Sequence, residues 1–233
     1  MTQALFHSWS TDRTRVCATV VLLVAYAAPA FAQNIAPNQN FDSGLPPWAV
    51  FVSSAPDPVG APVTGPTWLN NVDINNNLAS GSGFVDINTS QPQANAGSGI
   101  AQCVDFASTS VSLVNYGIGI RVPSTTTTDA SVNATVEMRL FSGAGCSGFI
   151  TGGSQGRTLL AGLASNTTWY LIGDPNFVPP GAPVSAMSAQ IRAYLREVNG
   201  GSPTVGSYQV DFDAAHLVLN STTPVHLQSF DVE

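Results

Sequence analysis

Glycine and proline interrupt this chain so often that only short regular elements fit between them. All 21 glycines and 15 of the 16 prolines follow residue 32. Between them, apolar and polar side chains alternate with a period of two, most clearly over 132–140 and 113–122, which is typical of strands with one buried face. Further runs of this kind cover 48–53, 83–87, 99–105, 158–163, 167–173 and 207–219. Eight or nine short strands in a stretch of about 200 residues predict one all-β domain, an antiparallel β-sandwich or barrel.

The segment 185–198 fits two patterns. As a strand, it places Gln190, Arg192 and Tyr194 together on one polar face. As a helix, it gathers its larger apolar residues into one stripe, and its residues are good helix formers. We favour the strand, because a single long helix would have to cover a sheet face that other strands already cover.

Three polar segments break the alternation. Residues 54–82 are rich in proline, glycine and asparagine, and we interpret them as a long loop or insertion between the first strands. Residues 123–130 predict a turn. The proline-rich segment 174–183 is expected to lack regular structure.

The first 32 residues have the pattern of a secretory signal peptide. Arg13 and Arg15 end a positively charged segment, 16–28 is apolar, and Ala32 completes an A-x-A cleavage pattern before Gln33. A membrane anchor is the alternative, but the apolar segment is shorter than the roughly 20 residues that a span needs. We therefore predict an exported protein, extracellular or periplasmic, whose mature chain has no membrane span.

The cysteines support this compartment. Cys17 falls in the predicted signal peptide, which leaves Cys103 and Cys146. In an oxidising compartment such a pair predicts one disulfide. Two free buried thiols are the alternative. A metal or redox site is less favoured, because the chain has no C-x-x-C motif.

The charge pattern excludes several classes of protein. The net charge is −7, only 9% of residues are charged, and all seven basic residues are arginines. A nucleic-acid-binding protein needs a basic surface, and a disordered chain needs low hydrophobicity and many charges. Coiled coils are rich in glutamate, lysine and leucine. We therefore expect a globular domain that does not bind nucleic acid.

Short motifs near both ends of the mature chain resemble a known family. The motif NFDSGLPPW covers 40–48, and YQVDFDAAHL covers 208–217. These resemble the opening and closing strands of jelly-roll carbohydrate-binding modules of the galactose-binding-like type, and 102–104 and 141–148 resemble segments of secreted bacterial proteins with such domains. Asn40 and the alanines after Asp213 depart from that pattern. The resemblance implies a jelly-roll domain over 33–220, followed by a tail or edge strand at 221–233.

Two aspartates in these end motifs are candidate metal ligands. A jelly roll brings its first and last strands together, so Asp42 and Asp213 can meet at one end of a sheet. Two carboxylates with backbone carbonyls suit a structural Ca²⁺; alternatively, Asp42 caps a turn and Asp213 is solvated. Asp211 is a weaker candidate. The segment from Asp73 to Phe84 starts like an EF-hand loop but lacks its glycine and its final glutamate, so we interpret it as a polar surface loop.

Two regions are candidates for sugar binding, since sugar sites combine an aromatic ring with hydrogen-bonding side chains. One is the loop around Trp68 and Asn70. The other is the polar face formed by Gln190, Arg192 and Tyr194. Trp68 can instead anchor its loop, and Tyr194 can be structural.

These observations predict an exported, non-catalytic module that binds carbohydrate. A structural or adhesive extracellular scaffold without a sugar site is the alternative. A jelly-roll polysaccharide-degrading enzyme is less favoured, because the only interior glutamates of the mature chain are Glu137 and Glu197, and Glu137 shares a strand face with an arginine. The oligomeric state stays open.

Overall fold

Ten strands and one short 3-10 turn make up the regular structure of the described residues, which are 33–52, 64–89, 97–198 and 204–220 of the computed structural model. The strands are β1 (Ala49–Val52), β2 (Thr64–Asn70), β3 (Gly81–Thr89), β4 (Gly97–Val111), β5 (Val114–Arg121), β6 (Asp129–Gly143), β7 (Ser147–Leu159), β8 (Trp169–Phe177), β9 (Val184–Glu197) and β10 (Gly206–Leu219), and the turn is Ala161–Leu163. No helix in these four ranges is long and apolar enough to cross a membrane. The predicted signal peptide and the tail 221–233 lie outside the described residues.

The strands form two five-stranded antiparallel sheets. Sheet A has the order β1-β4-β9-β6-β7, and sheet B has the order β2-β3-β10-β5-β8. Most neighbours within a sheet are distant in the chain, so the chain crosses repeatedly between the sheets. The predicted all-β sandwich is therefore confirmed, as is the prediction that 185–198 is a strand.

The core lies between the two sheets. Ile191 and Leu195 of β9 are fully buried, and so are Ile118 and Ile120 of β5, which belong to the same apolar cluster. Alternation places one face of each strand in this core and leaves the other face of the sheet for polar residues. A truncation such as Leu195→Ala is expected to cost about 2–5 kcal/mol.

The beginning and end of the described domain lie side by side. The Ile35 N–H donates to the Leu217 carbonyl at 2.9 Å, and the Ala215 N–H donates to the Gln39 carbonyl at 2.8 Å. Two segments about 180 residues apart thus share backbone hydrogen bonds, as the resemblance to jelly-roll modules implied.

Three segment predictions were wrong, and all concern edge strands. The supposed loop 54–82 contains β2, and the supposed irregular segment 174–183 contains the end of β8. The predicted strand 158–163 stops at Leu159, where the much longer β7 ends. Edge strands bury little side-chain area, so backbone pairing with an inner strand holds them extended even without alternation.

The predicted disulfide is present and crosses a strand. Cys103 on β4 is bonded to Cys146 in the turn between β6 and β7, with a Cα–Cα distance of 5.9 Å. Since β9 lies between β4 and β6, this turn reaches over β9, where the Cys146 N–H donates to Ser188 Oγ at 3.1 Å. On the chain-entropy account, a loop of this length contributes about 4 kcal/mol.

Candidate functional site

The outer face of sheet A carries a connected group of polar side chains. On β9, Ala193 and Leu195 point into the core, so Gln190, Arg192 and Tyr194 project from the opposite face. The structure therefore brings together these three predicted residues. The neighbouring strand β6 adds Glu137, which is opposite Arg192 in the register.

Glu137 is the centre of this group. Its Oε1 accepts from Arg139 Nε at 2.7 Å, and its Oε2 accepts from Arg192 Nη1 at 3.4 Å and from the Tyr194 hydroxyl at 3.3 Å. Gln190 Oε1 in turn accepts from Arg192 Nε at 2.7 Å. These bonds hold each side chain in one orientation before any ligand arrives, which lowers the entropy lost on binding. We call these five residues the Glu137 network.

Aromatic rings flank the Glu137 network on both edge strands. On β1, Phe51 lies under the Arg192 guanidinium at 4.5 Å and against the Tyr194 ring at 5.1 Å. On β7, Phe149 lies under the Arg139 guanidinium at 5.4 Å and is 59% exposed. Sequence reasoning missed both rings. Phe149 stands in a strand without alternation, and Phe51 becomes part of the face only through the pairing of β1 with β4.

Tyr194 lies on the predicted face, but its ring is covered. The residue is only 5% exposed, because Phe51 packs on its ring and because Gly97 lies close to the ring on the neighbouring strand. An added Cβ at Gly97 would lie only 3.0 Å from the Tyr194 ring. Burial raises the pKa of Tyr194 to about 12, and the charge of Glu137 adds to this rise. Tyr194 therefore contributes its hydroxyl to the Glu137 network from a buried position, whereas Phe149 is largely exposed.

Small residues border the Glu137 network along the strands on either side. On β4, Gly99 is opposite Tyr194 and Ala101 is opposite Arg192. On β7, Gly152 is opposite Arg139 and Ser154 is opposite Glu137. The longer polar side chains of β6 and β9 thus project beyond the small residues on either side. A ligand that lies across the strands can therefore reach these polar side chains.

The second predicted sugar region lies on the other sheet. Trp68 is on β2 of sheet B, is partly buried against the core, and its Nε1 donates to the Phe41 carbonyl at 2.7 Å. Asn70 is exposed at the end of the same strand. Trp68 and Tyr194 therefore belong to different sheets. Of the two interpretations of Trp68, these contacts favour the anchor.

The predicted metal ligands, Asp213 and Asp42, each accept a hydrogen bond from the loop between β2 and β3. Asp213 is fully buried, so the alternative that it is simply solvated is wrong. Its Oδ2 accepts from the Ile74 N–H at 2.8 Å, and its Oδ1 accepts from the Ala214 N–H at 2.6 Å. Burial raises the pKa of Asp213 to about 8; the two backbone N–H groups oppose this rise, and the charges of Asp73 and Asp42 add to it.

The loop itself is held by Asp73 and Asp42. Asp73 is buried, and its Oδ1 accepts from the N–H groups of Asn75 and Asn77, which is an Asx-type turn. The exposed Asp42 accepts from the Ser80 hydroxyl at 3.0 Å. The predicted surface loop from Asp73 to Phe84 is therefore only partly confirmed: the loop ends before Gly81, where β3 begins, and Asp73 itself is buried.

Asp211, the weaker metal candidate, is occupied by another partner. Its Oδ2 lies 2.8 Å from Arg121 Nη2, and Ser82 Oγ donates to its Oδ1 at 3.3 Å. Burial raises the pKa of Asp211, and Arg121 opposes this rise. In the part of the chain that the structure describes, no three Asp, Glu, His or Cys side chains are grouped closely enough to hold a metal ion by themselves.

The two interior glutamates do not form a catalytic pair. Glu197 pairs with the buried Val132 and points toward the core, whereas Glu137 points outward. Five residues of β9 separate their positions, or about 17 Å along the strand, which exceeds the roughly 5–10 Å of glycosidase carboxylates. Burial raises the pKa of Glu197, whose two carboxylate oxygens have no hydrogen-bond partner among the described residues.

Comparisons with known proteins gave matches only among solved structures. No family model matches the sequence, and no curated protein matches it either. Most of the similar structures are carbohydrate-binding modules with a β-sandwich fold. The enzymatically active domain of bacteriophage CBA120 tailspike protein 4 is similar with a TM-score of 0.48 and 17% identity, over 80% of this chain and 21% of that one. The present chain thus spans about a fifth of the tailspike chain.

Two of the similar structures are modules of about this size. TmCBM61, solved in complex with beta-1,4-galactotriose, has a TM-score of 0.44 and 13% identity, over 80% of this chain and 98% of that one. The C-terminal family 22 carbohydrate-binding module of Clostridium thermocellum Xyn10B has a TM-score of 0.33 and 11% identity, over 82% of this chain and 98% of that one.

Proposed function

We propose that this chain is an exported, non-catalytic binding module that holds a carbohydrate against the outer face of sheet A. One observation carries the proposal: an exposed aromatic ring, Phe149, stands beside the prearranged Glu137 network. A sugar ring presents an apolar C–H face that stacks on an aromatic side chain and hydroxyl groups that bond to charged or amide side chains. Both kinds of partner are within reach here.

The chemistry of the Glu137 network supports this proposal. Glu137 supplies acceptor oxygens, and Arg139 and Arg192 supply several N–H donors each. A sugar hydroxyl both donates and accepts, so it can bridge the carboxylate and a guanidinium. The side chains are already fixed by one another, which is the arrangement that gives a site its specificity.

The first experiment removes the stacking ring. In Phe149→Ala, we expect affinity for a bound polysaccharide to fall by about 30-fold, equivalent to about 2 kcal/mol, measured by calorimetry or by retention on an insoluble polysaccharide. Leu171→Ala is the matched control, because Leu171 is 54% exposed on β8 of sheet B. Equal losses in both variants would contradict the proposed face. A wild-type protein that binds no polysaccharide in a broad panel would favour the scaffold alternative.

We also propose that Asp42 and Asp213 hold a structural Ca²⁺, with Asp73 contributing negative charge. The carboxylate oxygens of these residues are ligands that suit a hard cation. Among the described residues, the buried Asp213 carboxylate accepts hydrogen bonds from two backbone N–H groups and from no basic side chain. Because three side-chain ligands do not converge there, backbone carbonyls would have to complete the coordination.

Calcium removal tests this second proposal. We expect excess Ca²⁺ to raise the melting temperature of the EDTA-treated protein, since a ligand that binds only the folded state stabilises it. The exposed Asp42→Asn should lose this response, whereas Asp174→Asn on β8 should keep it. A melting temperature that is the same in EDTA and in Ca²⁺ would overturn the proposal.

A further inference from the structure

The four edge strands of the two sheets differ in how well they are protected against pairing with another chain. They are β1 and β7 of sheet A and β2 and β8 of sheet B. An edge strand exposes unpaired N–H and C=O groups, and most proteins protect it by short length, proline, charge or an irregular register. The strand β1 has only four residues. Pro66 lies in β2, Asp174 and Pro175 lie in β8, and both strands have a register shift against their neighbours.

The strand β7 has little of this protection. It runs for 13 residues, from Ser147 to Leu159, without proline or an acidic residue. Its single charged residue, Arg157, is directed at sheet B, where its guanidinium lies 4.0 Å from the centre of the Tyr170 ring. Among the described residues, β6 is the only strand that pairs with β7. In that part of the chain, the other edge of β7 is therefore open to a further strand.

Exposed apolar side chains lie at both ends of β7. Phe149 near its start is 59% exposed, and Leu160, which directly follows the strand, is 52% exposed. Phe149 lies under Arg139 on the outer face of sheet A. Leu160 continues the extended backbone after the buried Leu159, with φ −89° and ψ 153°, so alternation directs it to the same outer face. Two apolar side chains thus bound β7 on one face.

The strand β7 is complementary to itself when two copies run antiparallel. A two-fold axis through Gln155 sets each residue opposite the one that is equally far from the axis in the other copy. Phe149 and Thr151 are opposite consecutive residues of β6, so Ile150 is an extra, bulged residue. Without Ile150, Phe149 and Leu160 are both five positions from the axis. Phe149 of one copy therefore lies beside Leu160 of the other, since directly opposite residues share a face.

Glycine allows a close approach between these two ends. With the axis at Gln155, three successive opposite pairs each contain a glycine: Gly152 with Thr158, Gly153 with Arg157, and Gly156 with Ser154. Each larger side chain of one copy thus meets no side chain directly opposite to it. At the axis itself, the two Gln155 carboxamides are both donors and acceptors, so they can bond to each other.

We propose that this chain forms a homodimer in which β7 pairs antiparallel with β7 of a second copy about a two-fold axis at Gln155. Such an interface is isologous, because the same patch serves both copies. It joins two five-stranded sheets A into one sheet of ten strands and packs Phe149 against Leu160 twice. Two copies of a chain with a net charge of −7 repel each other, and β7 adds no carboxylate to that repulsion. The pairing needs no carbohydrate, so it is independent of the proposed function.

Sedimentation equilibrium of the full chain, without carbohydrate, tests the dimer. We expect a species of twice the mass of one chain, with a dissociation constant of about 10 µM or tighter. Gln155→Lys brings two like charges together near the axis and should weaken association by at least about tenfold. Thr67→Lys is the matched control, because it adds the same charge to an exposed position of the edge strand β2. It should change the dissociation constant by less than about twofold.

A second pair of variants tests the apolar ends. Leu160→Ser should weaken association by about fivefold or more, because the hydroxyl replaces the side chain that packs on the partner's ring. Leu171→Ser removes a similarly exposed leucine from β8 and should leave association unchanged. Phe149 is kept in both variants, since it belongs to the proposed carbohydrate-binding face.

A cysteine at the axis tests the register. Opposite residues of an antiparallel pair have Cα atoms about 4.5–5.5 Å apart, which is within the range that a disulfide spans. In Gln155→Cys, we expect mild oxidation to give a covalent dimer linked through position 155, identified by mass spectrometry of its peptides. Thr67→Cys should give no such dimer.

The outcomes separate this inference from the proposed function. A wild-type chain that is monomeric throughout the micromolar range would overturn the dimer. A dimer that Gln155→Lys and Thr67→Lys weaken equally, or one that Gln155→Cys does not link, would place the contact elsewhere and would also overturn it. A monomer that still binds polysaccharide would leave the proposed function intact, and a dimer that binds none would leave the interface intact.

Discussion

His216 is expected to make this protein sensitive to mild acid. The residue lies on β10 with its Nε2 3.0 Å from Asn115 Oδ1. Its ring fills the space beside Gly117, where an added Cβ would lie only 2.5 Å from the ring carbon Cε1. Burial lowers the pKa of His216 from its usual value near 6.5 to about 4.

The sign and size of the effect follow from this pKa. The unfolded chain takes up the proton near pH 6.5, whereas the folded chain resists it until about pH 4. Folding stability therefore falls as the pH drops between these values. The loss attributable to His216 is near zero at about pH 7.5 and reaches about 2.5 kcal/mol at about pH 4.5.

Urea unfolding of wild type and His216→Gln measures this loss. Glutamine keeps an N–H donor for Asn115 but has no proton to gain. Between about pH 7.5 and pH 4.5, we expect wild type to lose about 2.5 kcal/mol more than the variant. Hydrogen bonds from Ser131 and Thr204 hold the pKa of Asp129 well below its usual range, but this contribution is present in both proteins and cancels in the difference.

The reasoning fails if the two proteins lose the same stability over this pH range. It also fails if the His216 ring protons titrate in NMR spectra near pH 6.5. Either result would mean that the imidazole is solvated as well in the folded chain as in the unfolded chain.

Three further predictions concern stability. Arg121→Met should cost about 3–5 kcal/mol in urea unfolding, because it leaves the buried Asp211 without its charged partner; the double variant Arg121→Met/Asp211→Leu should recover most of that loss, and no recovery would contradict the account. Reducing the disulfide should lower the free energy of unfolding by about 4 kcal/mol, checked by melting with and without reductant. Gly99→Ala should destabilise strongly, because its Cβ would lie 2.1 Å from the Ala193 carbonyl oxygen, whereas Gly162→Ala meets nothing within 4 Å and should be nearly neutral by the same measurement.

The inner strands could be predicted from the sequence because their side chains are sorted by burial. In β6 and β9 the core takes every second residue, so alternation is strict and the polar face can be read directly. The edge strands β2 and β7 have no such constraint. Residues such as Gly152, Gly153 and Gly156 are extended because β6 pairs with them, and this pairing leaves no periodic signal in β7 itself.

The candidate site was predictable to a similar degree. Gln190, Arg192 and Tyr194 were found because they share a strand. Glu137 shared the visible alternation of β6, but only the register of β6 against β9 shows that it bonds to Arg192. The position of Phe149 beside this site depends on the pairing of β7 with β6 and of β6 with β9. Neither pairing leaves a pattern in the sequence around Phe149.

The disulfide between Cys103 and Cys146 has a consequence for the direction of a bound polymer. It holds a turn above β9 at one end of the outer face of sheet A, next to Phe149. A chain of sugars that ran parallel to the strands would collide with this turn. A chain of sugars that ran perpendicular to the strands would pass over the Glu137 network and over the small residues of β4 and β7 on either side of it. The covalent bond is thus expected to set the orientation of a long ligand as well as to stabilise the fold.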